Sequence, residues 1–496
     1  MENATSSHPR IDWLDKARAY GMFLVFYGHF VETVSRGDNA AALLQQKFVY
    51  AFHMPLFILI SGFLARSQLP RLVAFLKARA ASRLLPVLFF SVLMMPVGPL
   101  WNSLFSSPHR GPSRMRARYI DNWADLCNRL HPSDVEKQSP PQEKLWKALP
   151  APVQKEIIAG ATAPDLDEKT RDRIVDGINS ALIDPHLYAA EDFADGALAE
   201  DLRAQFQQDR TGREERDVQR FNLQLTWRAL YPEFDVRGSR QSYWSRWKSD
   251  AWKTLRGYTE FNVPIWFLIC LFTVEFIHFL MARLLTSPIR IGLAIPLFFT
   301  VGWFATVDVE LWSDVWYIRE SLFLYSFYLL GYLLRRTEIL ERIPSQWFSA
   351  ALLIVGTAAL LFTFDLNPGS KIFTPVVLIN LSQHGDPFYF TVTVLAGCLA
   401  TIGLARLTPN FNFISATGRN SLIFMGLNGF FFDYGNRQLA RLVEIPPSHL
   451  PLLFWCTFFT LATMAACVPF VSLFNRYVPQ LIGRPRESGP LLPPLV

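Results

Sequence analysis

An arginine and a histidine stand eleven positions apart in the first hydrophobic segment, Arg18-AYGMFLVFYG-His29. In a helix, eleven steps of about 100° return nearly to the starting azimuth, and the rise separates the two residues by about 16 Å along one face. Ionisable side chains in a membrane span are costly to place, so each is a functional candidate by default. The spacing fits one elongated substrate lying along the helix, with its anionic groups at Arg18 and chemistry at His29. Asp15, three residues before Arg18, is placed to orient it through an ion pair or to serve as an ordinary helix-start acid.

Further candidates lie in the next segments. The second reads FHMPLFILISGF over residues 52–63. Pro55 removes a helix hydrogen bond and predicts a kink or break there. His53 sits just before it, either lining a site or hydrogen-bonding near the kink. Ser61-Gly62 allow close helix packing, and no base lies near Ser61 in sequence. The third segment opens with Lys77-A-Arg79-AAS-Arg83-LLP. Arg79 and Arg83 are four apart and share a helix face. A paired-arginine face suits a phosphate-rich ligand; lipid headgroup contact and membrane topology are the alternative. Glu275 is an intramembrane acid, and His278 follows it at three residues on the same face. An ExxH pair binds metal in helix bundles only with a second such pair, which is missing, so no metal is predicted. His278 is expected at the membrane interface. Asn420 and Asn428 either bond a ligand or join helices, and the latter is favoured.

The elements that must position these residues are helices. The chain has 496 residues, 51% hydrophobic and only 18% charged, and the hydrophobic residues fall in blocks of the length that spans a bilayer core. Ten spans are predicted, beginning near residues 19, 48, 85, 264, 291, 321, 349, 389, 421 and 451; Asn428 and Asp433 interrupt the ninth. The predicted fold is all-α: a polytopic membrane protein with about ten transmembrane helices and a helical extramembrane insertion. The net charge of +6 is modest, and the arginines cluster at helix ends, which indicates topology rather than nucleic acid. The N-terminus lacks the short apolar run and cleavage site of a signal peptide, so the first helix is expected to be retained. The five cysteines offer no disulfide framework and no zinc spacing.

Charge asymmetry predicts the orientation. With the N-terminus inside, the inner loops and ends receive Arg66, Arg71, Lys77, Arg79, Arg83, Arg283, Arg290, Arg335, Arg336, Arg342, Arg406, Arg419, Arg476, Arg484 and Arg486. The short outer loops carry Arg319, Lys371, Arg437 and Arg441. Ten helices return both termini to the cytoplasm. The expected organisation is residues 1–103 (helices 1–3), a polar insertion at 104–260 outside the cytoplasm, residues 261–478 (helices 4–10) and a cytoplasmic tail at 479–496. The insertion contains helical stretches such as VQKEIIAG and DEKTRDRIVDGINSALI, and Arg213–Arg216 read as an exposed, salt-bridged face. A spacer or lid and an acceptor-binding role are equally open for it.

Four runs together carry a family resemblance: RIDWLDKARAYGMFLVFYGHF, FHMPLFILISGF, RAASRLLP and PIWFLICLF. They resemble the membrane-bound acyltransferase 3 family, and most of all its sugar O-acetyltransferase branch of the fucose 4-O-acetylase and nodulation type. The family's arginine–ten residues–histidine motif matches Arg18 and His29. Its second-helix motif matches residues 52–63, and its third-helix arginines match Arg79 and Arg83. The chain departs from the late-helix pattern "SLxxYxxH": Met425 stands for the tyrosine and Asn428 for the histidine. The resemblance does not extend to residues 104–260.

The resemblance implies an integral protein of the bacterial inner membrane. Such a protein takes an acyl group, usually acetyl, from cytoplasmic acyl-CoA and places it on a hydroxyl of an envelope glycan or lipid-linked saccharide. Acetyl-CoA would be the donor, with membrane lipids as surroundings. Arg18, Arg79 and Arg83 would hold its phosphates, and the pantetheine arm would run to His29. His29 would act as general base, with a covalent acyl-histidine as the alternative route. Apart from the resemblance, Asp15, His53, Glu275 and Asn428 are candidates to line the site. Two rival readings stand: a membrane acyltransferase acting on lipid or protein, and a transporter or flippase of a sugar-linked lipid. Transporters often carry inverted repeats and paired broken helices, and no such repeat is evident.

Overall fold

The computed structural model describes residues 11–35, 39–65, 70–97, 100–101, 146–147, 149–162, 252–257, 259, 261–307, 315–370, 375–443 and 445–496. Most of the predicted insertion, including DEKTRDRIVDGINSALI and Arg213–Arg216, lies outside these residues, as do Arg66, Cys127 and Lys371. The chain divides into two compact units, residues 1–98 with 250–496, and residues 99–249. In the second unit, one helix (Ala151–Thr162) contains the VQKEIIAG stretch. The amide of Gln154 donates to the carbonyls of Trp146 and Leu149 at 2.9 Å, tying the helix to the residues before it.

The first unit is all-α, and no β-strand occurs among the described residues. Its helices are α1 (Asp12–Ser35), α2 (Ala40–Tyr50), α3 (His53–Phe63), α4 (Leu72–Arg79) and α5 (Leu85–Met94). After the second unit, whose helix is α6, come α7 (Trp266–Met281), α8 (Pro288–Val307), α9 (Ile318–Thr337), α10 (Gln346–Thr363) and α11 (Pro387–Leu407). The series ends with α12 (Asn412–Arg419), α13 (Ser421–Phe430) and α14 (His449–Tyr477). Six stretches among the described residues are long and apolar enough to cross a bilayer: Ala40–Phe63, Val263–Met281, Pro288–Thr306, Gln346–Thr363, Pro387–Leu407 and His449–Tyr477. The chain is a polytopic membrane protein. The other four predicted spans are also helical. They are α1, α5, α9 and α13, and α5 and α13 adjoin π turns at Ala80–Leu84 and Phe431–Gly435.

The lipid-facing surface is legible on α8. Ile289, Leu293, Leu297 and Phe304 are 59–75% exposed along one side of the helix, an apolar stripe that is stable against hydrocarbon. The polar α1 is instead interior. It packs against α2, α3, α11, α12, α13 and α14, which buries its costly side chains among protein rather than lipid.

Pro55 behaves differently from a kink in a continuous helix. The helix ends at Tyr50 and restarts at His53, and Phe52 at the break has φ −145° and ψ −16°. Pro55 is then the third residue of α3, where a missing N–H costs little. Asn39 caps α2 by accepting from the Ala42 amide at 3.1 Å.

Gly62 does what its small size predicts. A methyl at Gly62 would strike the backbone of Tyr328, and one at Gly331 would strike the backbone of Leu59. The two glycines let α3 and α9 touch backbone to backbone, the device by which membrane helices gain packing without a hydrophobic drive. A methyl at Gly292, on α8, meets nothing within 4 Å. Gly331→Ala is expected to cost about 1–3 kcal/mol and lower the thermal midpoint in detergent, while Gly292→Ala leaves it unchanged. Thermal unfolding followed by size exclusion measures both.

Candidate active site

His29 lies on α1 with 16% of its side chain exposed. Its Nδ1 is 3.1 Å from the Tyr50 hydroxyl and 3.5 Å from Glu32 Oε2. The Tyr50 hydroxyl donates to Glu32 Oε2 at 2.6 Å. A hydroxyl has one hydrogen. Since Glu32 takes it, the Tyr50 oxygen accepts from His29, which places the imidazole proton on Nδ1. In the neutral imidazole the lone pair is then on Nε2, and no hydrogen bond reaches that nitrogen among the described residues. An oriented imidazole with its second nitrogen open is the arrangement of a general base. The Phe432 ring stands edge-to-face on His29 with centroids 4.6 Å apart and walls one side.

The local fold explains the three positions. Glu32 is one turn after His29 on α1, so the two share a face. Tyr50 is the last residue of α2, and the break that follows turns the chain at the His29 end. His53 is 6% exposed; its Nδ1 donates to the Val49 carbonyl at 2.8 Å, and its ring lies 5.3 Å from that of Tyr50. It packs on Tyr50, beside the His29 group.

At the other end of α1, Arg18 and Asp15 are 3.9 Å apart, the predicted i,i+3 pair. Arg79 and Arg83 both converge on Glu275: Arg79 Nη1 is 3.2 Å and Arg83 Nη2 3.0 Å from Oε1. Glu275 is 4% exposed, and the two arginine side chains are 32% and 22% exposed. The three sequence candidates therefore form one group carrying two positive charges and one negative. This group lies at the Arg18 end of the bundle. His278, one turn from Glu275, packs on Tyr328 at 5.0 Å. Tyr328 abuts Gly62, and the adjacent Phe63 ring is 5.2 Å from Trp13 in the first turn of α1.

His278, three residues before the end of the apolar stretch Val263–Met281, is 3% exposed, with Nδ1 3.1 Å from the Tyr325 hydroxyl and its ring among Tyr325, Tyr328 and Tyr332. One expectation is corrected. Arg319 is not in an exposed loop: it is 3% exposed in the first turn of α9, beside Glu320, which accepts from Ser382.

Asn420 joins helices, as favoured. Its amide donates to the Ala416 carbonyl, and its oxygen accepts from Asn475 and Arg484. Asn428 is fully buried on α13, and neither amide atom has a hydrogen-bond partner among the described residues. Ser61 donates to the Phe57 carbonyl at 2.8 Å, a backbone bond that occupies its hydrogen. A cavity of about 300 Å³ beside α1, α2 and α14 is lined by Phe23, Tyr27, Gln45, Phe48 and Leu453 among others, and by none of the site residues.

Sequence reasoning missed Glu32 and Tyr50. The i,i+3 spacing of His29 and Glu32 was a usable signal. Tyr50 gave none, because it lies on a different helix, 21 residues from His29 in the chain.

Residues 11–109 match a family model described as an acyltransferase domain, that of the acyltransferase 3 family. The match covers about a fifth of the chain but contains Arg18, His29, Glu32, Tyr50, His53, Arg79 and Arg83. It supports a membrane acyltransferase. Comparison with curated proteins and with solved structures gives no match.

Glu275→Gln removes the carboxylate that the two guanidinium groups share in a largely buried setting. Breaking a buried pair is costly, and the partial exposure of both arginines reduces that cost. The expected loss is roughly 2 kcal/mol, read as a lower thermal midpoint at neutral pH. An unchanged midpoint would show that the arginines do not need the carboxylate.

Proposed function

We propose that this protein is an O-acyltransferase that moves an acyl group, acetyl in the first instance, from acetyl-CoA to a hydroxyl of an envelope glycan or lipid-linked saccharide. The observation that carries the reading is the oriented His29, with Nδ1 engaged by Tyr50 and Nε2 open, on the helix whose other end holds Arg18 near the Arg79–Glu275–Arg83 group.

Coenzyme A has anionic groups at one end and a thioester at the other, joined by a flexible arm. Arg18, Arg79 and Arg83 suit the anionic end, since guanidinium groups bind phosphate through charge-assisted, geometrically matched hydrogen bonds. The distance of about 16 Å along α1 is comparable with the arm. With the N-terminus cytoplasmic, as the arginine distribution favours, the donor enters from the cytoplasm of a bacterial inner membrane and the acceptor meets it at the His29 end.

In this scheme, the acceptor hydroxyl attacks the thioester carbon while Nε2 of His29 takes its proton. The new C–O bond forms, the C–S bond breaks, and the imidazolium returns the proton to the leaving thiolate. Glu32, through Tyr50, stabilises the positive charge that His29 gains. Asp15 orients Arg18, and Glu275 keeps two like charges side by side on one face.

The test is alkali-labile acetyl on envelope glycans in cells lacking the protein, complemented at equal membrane abundance. Wild type is expected to restore acetyl and His29→Ala to fall by at least about a hundredfold. Tyr50→Phe and Glu32→Gln are expected to give intermediate rates with little change in the KM for acetyl-CoA. Equal restoration by His29→Ala would remove His29 from the mechanism. Acetyl found on His29 in trapped enzyme would replace direct transfer with an acyl-enzyme. Loss of lipid transport without loss of acetyl in His29→Ala would favour the flippase.

A further inference from the structure

Three asparagines of this bundle are bonded or placed in different ways. Asn262 donates to the Gly426 carbonyl at 2.7 Å, and Asn420 makes the three bonds that join α12, α14 and the C-terminal residues. Asn428 joins nothing: it is 0% exposed, and both its amide nitrogen and its amide oxygen lack partners among the described residues. Buried polar groups are nearly always hydrogen-bonded, because leaving one unpaired forfeits its hydration. An amide kept in that state at a membrane helix interface is a candidate to serve something that arrives later.

Its position says what. Helix α13 runs parallel to α1: Gly418 lies against Asp15, the Phe424 ring is 6.3 Å from Phe26, and the Phe432 ring is 4.6 Å from His29. Within α13, residues 424 and 428 lie about 40° apart, and the Phe424 ring faces Phe26 of α1. Asn428 is therefore on the α1-facing side, one turn beyond Phe424 and just before the π stretch that carries Phe432. The opposite side of α13 is occupied, since Gly426 packs on Phe90 and Gly429 on Asn262.

We infer that Asn428 supplies the hydrogen bond that stabilises the oxyanion of the acyl thioester. The inference rests on the acyltransferase reading above and adds a residue to it. A thioester arm reaching from the arginine end passes Asn428 just before His29. When the acceptor oxygen adds to the thioester carbon, the carbonyl π electrons move to oxygen, and the Nδ2–H of Asn428 donates to that oxyanion. The pair returns as the thiolate leaves, and the proton held by His29 goes to sulfur. The amide neither gains nor loses a proton. Its burial away from water strengthens the bond, and its fixed place in α13 removes the cost of reorganisation.

The experiment uses membrane vesicles containing the full-length protein and [14C]acetyl-CoA, with alkali-labile label in envelope material as the readout. Asn428→Leu and Asn428→Asp, which lack the donor, are expected to lower kcat by roughly a hundredfold or more, with the KM for acetyl-CoA within about threefold of wild type. The thermal midpoint of Asn428→Leu is expected to be unchanged or raised, because no hydrogen bond is lost. Asn428→His, which restores an N–H donor, is expected to recover part of the rate. Wild-type kcat in Asn428→Leu would overturn the inference, and so would a rate loss matched by a loss of folded protein. His29→Ala run in parallel separates the two readings. An inactive His29→Ala beside a fully active Asn428→Leu removes only the role of Asn428, whereas an active His29→Ala removes the acyltransfer scheme itself.

Discussion

The hydroxyl of Tyr50 has one hydrogen, and Glu32 takes it. That single assignment sets the proton of His29 on Nδ1 and leaves Nε2 as the basic atom. In the proposed scheme, everything that places Tyr50 then matters to chemistry. Helix α2 must bring residue 50 to the level of residue 29. The helix must stop there, and it does so at Phe52, with Pro55 accommodated in the first turn of α3. His53, bonded to Val49 and packed on Tyr50, is part of the same brace. A continuous helix over residues 40–63 would rotate these groups away from α1.

The arginine end works by a different balance. Two guanidinium groups share one oxygen of Glu275, so the group retains a net positive charge while its repulsion is reduced. Full neutralisation would weaken the attraction for an anion, and no carboxylate at all would make the paired arginines expensive to hold at this depth. Their side chains remain a fifth to a third exposed, which leaves donors for a second partner. Arg79 closes α4 and Arg83 lies in the π turn Ala80–Leu84, so the pair straddles an irregular stretch rather than a uniform helix face.

Much of this was legible in the sequence, and the physical reason is periodicity. Asp15 and Arg18 are separated by three residues, which returns to one helix face, so their pairing needs no tertiary information; Arg79 and Arg83 come together on Glu275 although a π stretch lies between them. Glu275 was legible as an intramembrane acid, but its partners were not, because they lie 192 and 196 residues away in the chain. Tyr50 and the burial of His278 depend on how helices cross, which no local pattern encodes. Arg319 misled for a related reason. A charge beside an apolar run reads as a loop residue, yet the chain buries it with Glu320 in the first turn of α9. The C-terminal residues read only as a tail. In fact Ile482 is buried, Gln480 donates to the Leu492 carbonyl, and Gly483 lies near Ser82 beside Arg83.

The two π turns of the bundle fall where the site needs them. One carries Arg83, and the other begins at Phe431 and carries Phe432, which walls His29. A π turn inserts an extra residue and is less stable than the α-helix it interrupts, so it persists only where its surroundings hold it. Ala80–Leu84 is held between α7 and the Pro479–Ile482 turn of the C-terminal residues. The second follows Asn428 by two residues, after the helix has already presented that amide toward α1. In both places the irregular stretch carries a residue of the candidate site, Arg83 in the first and Phe432 in the second, directly after a regular stretch that carries another, Arg79 and Asn428.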